Sequence, residues 1–191
     1  MRYNDFMKKT ALLVVLALPV LASLAGWKSP NEFPAYVTKK TLYAKNDFRG
    51  KEFKNLEFGT ALAGTLPTKQ ELKGKVLLID FWATWCGPCR AVIPEMNDWK
   101  KKFEKDLVIV GVSDETSEVV KQFMTKTKMD YTVTTDASKT MSKVLGVQGI
   151  PHVLVISQDG IVRYQGFPSQ QEDKLTTEKL EQIIKANRDL K

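Results

Sequence analysis

Continuous apolar runs alternate along this chain with segments whose apolar residues recur at helical spacing. Val76–Trp82 and residues 107–112 are such runs, and their continuity predicts strands that are buried on both faces, as in a parallel sheet. Between them, apolar side chains recur over residues 92–103 with the spacing of an amphipathic helix. This first half of the pattern therefore predicts a strand, a helix and a second strand.

The second half of the chain continues the alternation. The pattern predicts helices over residues 115–128, 137–145 and 175–190, and strands over residues 131–133, 153–156 and 161–164. The last two strands are joined by the turn Gln158-Asp159-Gly160 and form a predicted hairpin. The order βαβαβαββα predicts an α/β sandwich with a central mixed sheet.

The part of the chain that precedes the first long strand has a different pattern. Residues 1–25 combine a basic start with an almost wholly apolar stretch, which predicts a cleaved signal peptide. An uncleaved membrane anchor over residues 10–27 is the alternative. Residues 26–69 are polar and interrupted by proline and glycine, which predicts an irregular extension with a short hairpin near residues 56–66. The folded domain is expected over residues 70–191.

Both cysteines lie in one short stretch, Trp85-Cys86-Gly87-Pro88-Cys89-Arg90, directly after the first predicted strand. A strand that ends in this motif and leads into a helix, expected from Arg90 onward, places the first sulfur near unpaired amides at the positive helix end. Such motifs lower the pKa of a cysteine from about 8.5 to about 7, which favours the reactive thiolate. The motif therefore predicts a reversible dithiol–disulfide centre.

Three other uses of the cysteine pair fit the sequence less well. A structural zinc site needs four ligands, whereas the chain adds a single histidine, His152, to its two cysteines. Covalent haem attachment needs a histidine where Arg90 stands. A purely structural disulfide across so short a ring would constrain the unfolded chain little. We therefore expect no metal and no cofactor other than a redox-active Cys86–Cys89 disulfide.

The net charge of the chain and its expected compartment limit the kinds of molecule that it is expected to bind. The 191 residues carry a formal net charge of +7, but the lysines are scattered and form no compact stripe with interleaved aromatics, so we expect no nucleic-acid partner. If the N-terminal segment directs export, the cysteine pair works in an oxidising compartment. In a bacterium that compartment would be the periplasm, with the protein either free or anchored in the membrane.

Two motifs resemble those of the thioredoxin superfamily: Asp80-Phe81-Trp82-Ala83-Thr84-Trp85-Cys86-Gly87-Pro88-Cys89-Arg90 and Gly149-Ile150-Pro151. Leu72-Lys73-Gly74-Lys75 and the additional helix and strand between Glu115 and Val133 are similar to the exported TlpA/ResA-type members. The resemblance covers residues 70–190. It implies a three-layer sandwich, a central mixed β-sheet flanked by helices, with an extra helix–strand insertion.

The resemblance also implies a role for each cysteine. Cys86 would attack a substrate disulfide, and Cys89 would resolve the resulting mixed disulfide. Pro151 matches the family's cis proline, which faces the cysteines and leaves the backbone of Ile150 free to pair with an extended substrate segment. The rest of the substrate-binding surface would come from the motif itself: Trp85, Gly87 and Pro88.

Two further polar residues are candidates for the site. Asp80 lies in an otherwise apolar strand, where burial should raise the pKa of its carboxyl. The resemblance assigns it as general base for Cys89, and a buried acid with no catalytic part is the alternative. Thioredoxins often pair this acid with a lysine, whereas this chain has Val110-Gly111-Val112 there. His152 either stabilises the Cys86 thiolate or contacts substrate, or it packs as an ordinary strand residue.

The dipeptide Gly87-Pro88 is the one found in reducing thioredoxins, so the resemblance implies a protein-disulfide reductase. Its substrates would be disulfides of exported proteins, with apocytochromes as one candidate class, and a membrane thiol carrier would supply electrons. Two other functions stay open at this point. One is a thiol peroxidase, and the other is a non-catalytic module that binds or chaperones partners through Ile150 and Pro151.

Overall fold

The computed structural model describes residues 32–136 and 138–190. The predicted signal segment, residues 1–25, lies outside these ranges. Among the helices within them, none combines the length and the apolar character that a membrane span requires.

Within the described residues, six strands form a mixed sheet in the order β1-β4-β3-β2-β5-β6. Neighbouring strands among β2, β3 and β4 are parallel, while β1, β5 and β6 each pair antiparallel with their neighbours. The strands are β1 (Ala61–Ala63), β2 (Val76–Trp82), β3 (Leu107–Ser113), β4 (Thr132–Thr135), β5 (His152–Ile156) and β6 (Val162–Gly166).

Helices cover both faces of this sheet. They are α1 (Lys69–Leu72), α2 (Gly87–Lys102), α3 (Ser117–Met124), α4 (Thr140–Leu145) and α5 (Thr177–Arg188), with a short 3-10 turn at Gln171–Asp173. The predicted α/β sandwich with a mixed central sheet is therefore confirmed, and α3 with β4 is the predicted helix–strand insertion.

The alternation of side chains along β2 divides the core into two parts. Leu78 and Trp82 pack on one face of the sheet, in the cluster that contains residues of α2 and α5. Ile79 and Phe81 pack on the other face, in the cluster that contains residues of α4. All seven residues of β2 are buried, because helices cover both sides of a central strand. We call the face with Leu78 and Trp82 the α2 face, and the face with Ile79 and Phe81 the α4 face.

Two local predictions are wrong. The predicted hairpin near residues 56–66 is instead the single strand β1, which pairs antiparallel with β4, because β4 would otherwise be an edge strand with free backbone groups. Helix α2 begins at Gly87 rather than Arg90. The reason is that Cys86 caps the helix and Pro88 fits its first turn, where its missing N–H costs no hydrogen bond.

Within the predicted extension, residues 32–60 contain no helix or regular strand. Isolated bridges attach it to the domain: Ala44 pairs with Val147, Arg49 with Val162 and Glu52 with Ile161. Phe53 is buried and belongs to the core on the α4 face. The extension is thus packed onto the sheet beside β6 and beside the loop that precedes β5.

Candidate active site

Cys86 and Cys89 form a disulfide at the start of α2. Cys86 is the N-cap of the helix, and its Sγ accepts a hydrogen bond from the Cys89 N–H at 3.2 Å. The sulfur therefore occupies the place of a capping oxygen, at the positive end of the helix dipole. In the reduced protein this position favours a thiolate at Cys86.

The surroundings of the two sulfurs differ in exposure. Cys86 is 4% exposed to solvent, whereas Cys89 is fully buried. The residues between and beside them, Trp85, Gly87 and Pro88, are exposed, with Trp85 at 70%. A disulfide that approaches from solvent therefore meets Cys86 first, between the exposed indole ring and the first turn of α2.

The loop before β5 lies against the disulfide. The Ile150–Pro151 peptide bond is cis, as expected, and the carbonyl oxygen of Ile150 lies 3.7 Å from Cys86 Sγ. Trp85 and Ile150 also line a groove of about 450 Å³ that extends toward α4 and includes Asp136. The structure thus brings Trp85, Cys86 and the Ile150–Pro151 loop together at one edge of the sheet.

Sequence analysis missed Glu115, which holds the loop between β2 and the disulfide. Both carboxylate oxygens of Glu115 accept hydrogen bonds from Thr84, one from its N–H and one from its Oγ1, each at 2.7 Å. The Ser113 hydroxyl donates to the same carboxylate at 3.1 Å. The acidic pair Asp114-Glu115 directly after the buried parallel strand β3 is the signal that would have suggested such a role, since the ends of neighbouring parallel strands meet at one edge.

Asp80 is fully buried on the α2 face of the sheet. It lies between Leu78 and Trp82 in the alternation of β2, and these two share a core cluster with Cys89. Neither carboxyl oxygen has a hydrogen-bond partner among the described residues. Burial raises the pKa of Asp80 from 3.8 to about 7. The carboxyl therefore changes protonation near neutral pH, on the same face of the sheet as the buried sulfur.

His152 lies on the opposite face. Alternation along β5 groups it with Leu154 and Ile156, which belong to the core on the α4 face, and its ring lies 6.4 Å from that of Phe81, centroid to centroid. The side chain has no exposed surface. In this oxidised structure the imidazole is therefore not part of the surface that a substrate meets.

Gln165 of β6 fixes the hydrogen bonding of His152. Its side-chain oxygen accepts from the Phe48 N–H at 2.8 Å, and its amide nitrogen donates to the Asn46 carbonyl at 2.9 Å. That nitrogen lies 3.3 Å from His152 Nε2, so Nε2 accepts and Nδ1 carries the proton. Burial, with a smaller contribution from the positive charge of Lys40, lowers the pKa of His152 from 6.5 to about 4. The ring is neutral at physiological pH.

Comparison with known proteins agrees with this geometry. The chain matches the Redoxin family over residues 48–184. It is 32% identical over 172 residues to the thiol-disulfide oxidoreductase ResA of Bacillus thuringiensis, a match that covers 88% of this chain and 95% of that protein. It is 27% identical over 167 residues to the thiol:disulfide interchange protein DsbE of Pseudomonas aeruginosa, covering 83% of this chain and 84% of that protein.

A solved structure shows the same fold at lower identity. The thiol-disulfide isomerase of Corynebacterium glutamicum superposes with a TM-score of 0.61 at 15% identity, over 74% of this chain and 98% of that one. The family match and the ResA relative cover the elements that carry the Cys86–Cys89 disulfide and the Ile150–Pro151 loop. The chain therefore belongs to the Redoxin family, and it is a TlpA/ResA-like thiol-disulfide oxidoreductase of the thioredoxin superfamily.

Proposed function

We propose that this oxidoreductase reduces disulfides of exported proteins, with Cys86 as the attacking and Cys89 as the resolving thiol. The observation that carries the proposal is the position of Cys86 Sγ, which caps α2 and accepts the Cys89 N–H. This environment stabilises a thiolate at Cys86, while Cys89 stays buried behind it. The dipeptide Gly87-Pro88, typical of reducing thioredoxins, supports the reductive direction.

The reaction proceeds in two exchanges. The Cys86 thiolate attacks one sulfur of the substrate disulfide, that bond breaks, and the second substrate sulfur leaves as a thiolate. The Cys89 thiolate then attacks Cys86 Sγ, which breaks the mixed disulfide and releases the first substrate sulfur. Two electrons pass to the substrate, and the Cys86–Cys89 disulfide forms.

Asp80 supplies the proton acceptor for the second exchange. Cys89 is fully buried, so its thiol cannot lose a proton directly to solvent and needs a nearby base. A carboxyl with a pKa of about 7 is suited to accept that proton at neutral pH. The position of Asp80 on the α2 face supports this assignment, with the proton returned when the dithiol is restored.

Electrons for the next cycle would come from a membrane thiol carrier, because an exported compartment has no assured pool of soluble reductant. The predicted signal segment or anchor at residues 1–25 supports such a location. The substrate would dock in extended form against Ile150, with Trp85, Gly87, Pro88 and Pro151 as neighbours.

Reduction of insulin disulfides by the dithiothreitol-reduced protein tests the activity. We expect turnover by wild type and none by Cys86→Ser, whereas a binding module would retain partner binding without turnover in either protein. Equilibration with glutathione buffers tests the direction. A midpoint potential close to that of DsbA-type oxidants, about −120 mV, would contradict a reductase, and a value near that of thioredoxin, about −270 mV, would support it.

Trapping identifies the substrates. Cys89→Ser leaves the attacking thiol in place and removes the resolving one, so mixed disulfides with substrates should accumulate and mass spectrometry should identify the trapped proteins. Cys86→Ser is the matched control and should trap none. Equal trapping by both variants would contradict the assigned order of the two thiols.

A further inference from the structure

The N-terminal extension lies along the loop that carries Ile150 and Pro151. The Lys45 N–H donates to the Gly146 carbonyl at 2.9 Å, and the Gln148 N–H donates to the Tyr43 carbonyl at 2.8 Å. Ala44 forms an antiparallel bridge with Val147 between these two bonds. The pairing carries the extension to within two residues of Ile150, whose carbonyl oxygen contacts Cys86 Sγ.

Tyr43 is held at the end of this pairing in an unfavourable backbone conformation. Its φ is +54°, in the left-handed region of backbone conformation that residues other than glycine and asparagine rarely adopt. The ring is 44% exposed and lies 4.7 Å from the ring of Phe167, centroid to centroid. A Cβ added to Gly149 would lie 3.5 Å from Tyr43, in ordinary contact. A large aromatic ring is therefore presented to solvent beside the Ile150 loop at a position that its backbone disfavours.

The same segment fills the space next to Gly166, at the end of β6. A Cβ added to Gly166 would lie 3.0 Å from Lys40 Nζ and 3.9 Å from Leu42 Cδ1. The extension therefore covers the backbone of Gly166, and a substrate that approaches here contacts the extension instead of the glycine. Tyr43 and Phe167 lie together on this side of the Ile150 loop, and we call these two residues the aromatic patch.

We propose that the aromatic patch is a docking site for an apolar or aromatic side chain close to the cysteine of an oxidised protein substrate. This inference rests on the proposed function, because the occupant is the substrate segment that pairs with Ile150. An extended segment advances about 3.3 Å per residue, so a side chain near the substrate cysteine reaches Tyr43 while that cysteine is at Cys86. Aromatic contacts of this kind stabilise bound segments by an amount that changes affinity about three- to tenfold.

The location of the patch favours this occupant over a separate partner. Tyr43 and Phe167 both lie 3.5 Å from the place that a Cβ of Gly149 would take, and the next residue of that loop, Ile150, contacts the attacking sulfur. Trp85, the residue before Cys86, is also exposed and lines a groove together with Gly149 and Ile150. The patch is therefore continuous with the surface at which the disulfide exchange takes place, and the exposed rings of Tyr43 and Trp85 both lie beside the loop that carries Ile150.

The test compares two peptide disulfides that carry either tryptophan or serine two residues from the cysteine. We expect the reduced wild-type protein to have a KM for the tryptophan peptide about three- to tenfold below that for the serine peptide, at similar kcat. Tyr43→Gly, which suits the positive φ, should lose this preference. Tyr43→Phe should keep it, and so should Tyr36→Ala, which removes the other half-exposed tyrosine of the extension, one that donates to the Val162 carbonyl.

Two further measurements separate docking from damage to the site. Tyr43→Gly and Tyr43→Asn should reduce bis(2-hydroxyethyl) disulfide at the wild-type rate and keep the wild-type midpoint potential, because this small disulfide does not reach the patch. Equal KM values for the two peptides with wild type, or a matching loss of rate on the small disulfide in the Tyr43 variants, would overturn the inference. If wild type reduced the small disulfide but neither insulin nor either peptide, the proposed function itself would fail.

Discussion

Asp80 lies directly opposite Gly111 in the parallel pairing of β2 with β3. A Cβ at Gly111 would lie 3.1 Å from both Trp82 Nε1 and Tyr131 Cε2, so the glycine leaves the space into which these two rings pack. Thioredoxins often place a lysine beside this acid, whereas here the acid has aromatic neighbours. Among the described residues no ammonium group offsets the burial of the carboxyl, and its pKa is therefore raised to about 7.

Asp80→Asn tests the carboxyl as the proton acceptor for Cys89. When a small disulfide substrate is present at saturating concentration, the rate no longer depends on that concentration. It then reports the resolving step, in which Cys89 attacks the mixed disulfide. We expect this rate in wild type to rise as pH passes about 7, since the ionised carboxylate is the base. The asparagine variant should be slower by about 100-fold and should lack that rise.

Alkylation of the reduced proteins by iodoacetamide is the control for this experiment. It reports the titration of Cys86, which should be nearly the same in both proteins because Asp80 acts on the other thiol. Stopped-flow rates that coincide for wild type and Asp80→Asn from pH 5 to 9 would show that Asp80 is a buried acid with no part in the exchange.

Asp80 and His152 should also give the stability of the oxidised protein opposite pH dependences. The folded protein holds the Asp80 proton up to about pH 7, against 3.8 for an ordinary aspartate, so stability falls as pH rises through that window. The unfolded protein protonates His152 at 6.5, whereas the folded protein does so only near 4. Stability from this group therefore falls as pH decreases from 6.5 to 4.

Single variants separate these two contributions. Relative to wild type, Asp80→Asn should gain stability as pH rises from 4 to 7, by up to about 4 kcal/mol. His152→Gln should gain relative to wild type as pH falls from 6.5 to 4, by up to about 3 kcal/mol. Urea unfolding of the oxidised proteins at each pH measures both differences. Curves that run parallel to wild type would contradict the assigned pKa shifts.

The pattern of the sequence predicted those features that depend on local order along the chain. The continuous apolar run of β2 predicted a buried strand, and the acid within it predicted a buried carboxyl. The side on which His152 lies could not be predicted, because both faces of β5 are apolar and alternation then distinguishes nothing. The pairing of β1 with β4 and the packing of Tyr131 beside Gly111 bring together residues far apart in sequence, which no local pattern encodes.

Gly111→Ala tests how tightly the rings pack beside Asp80. The added methyl group would lie 3.1 Å from both Trp82 and Tyr131, and both rings are buried. We expect the free energy of unfolding to fall by about 1–3 kcal/mol, measured by urea denaturation of the oxidised protein.

Gly87→Ala is the matched control for stability. No heavy atom of the described chain, apart from its sequence neighbours and its own helix, lies within 4 Å of a Cβ at this position. The substitution should therefore leave stability unchanged or raise it slightly, by up to about 1 kcal/mol, because alanine restricts the unfolded chain. A Gly111→Ala protein as stable as this control would show that the rings have room to move.

An ion pair between Lys40 and Asp173 also attaches the extension to the domain. The Lys40 side chain is fully buried and Asp173 almost so, and the carboxylate also accepts from Lys179. Burial lowers the pKa of Lys40, and the hydrogen bond and charge of Asp173 oppose that shift. The carboxylate therefore keeps a buried ammonium group charged, with the ring of Tyr164 beneath it.

Asp173→Asn should destabilise the protein by about 3 kcal/mol at neutral pH, because it leaves the buried ammonium without its counter-charge. This loss of stability should shrink as pH rises toward the ordinary pKa of lysine. The unfolded variant then still holds the Lys40 proton, whereas the folded variant has released it. Glu181→Gln, which breaks the exposed pairs with Lys102 and Lys185, is the control and should change stability little. If both variants unfolded at the same urea concentration, the buried ion pair would not stabilise the attachment of residues 40–46. The conformation of Tyr43 would then depend on the backbone pairing with residues 145–148 alone.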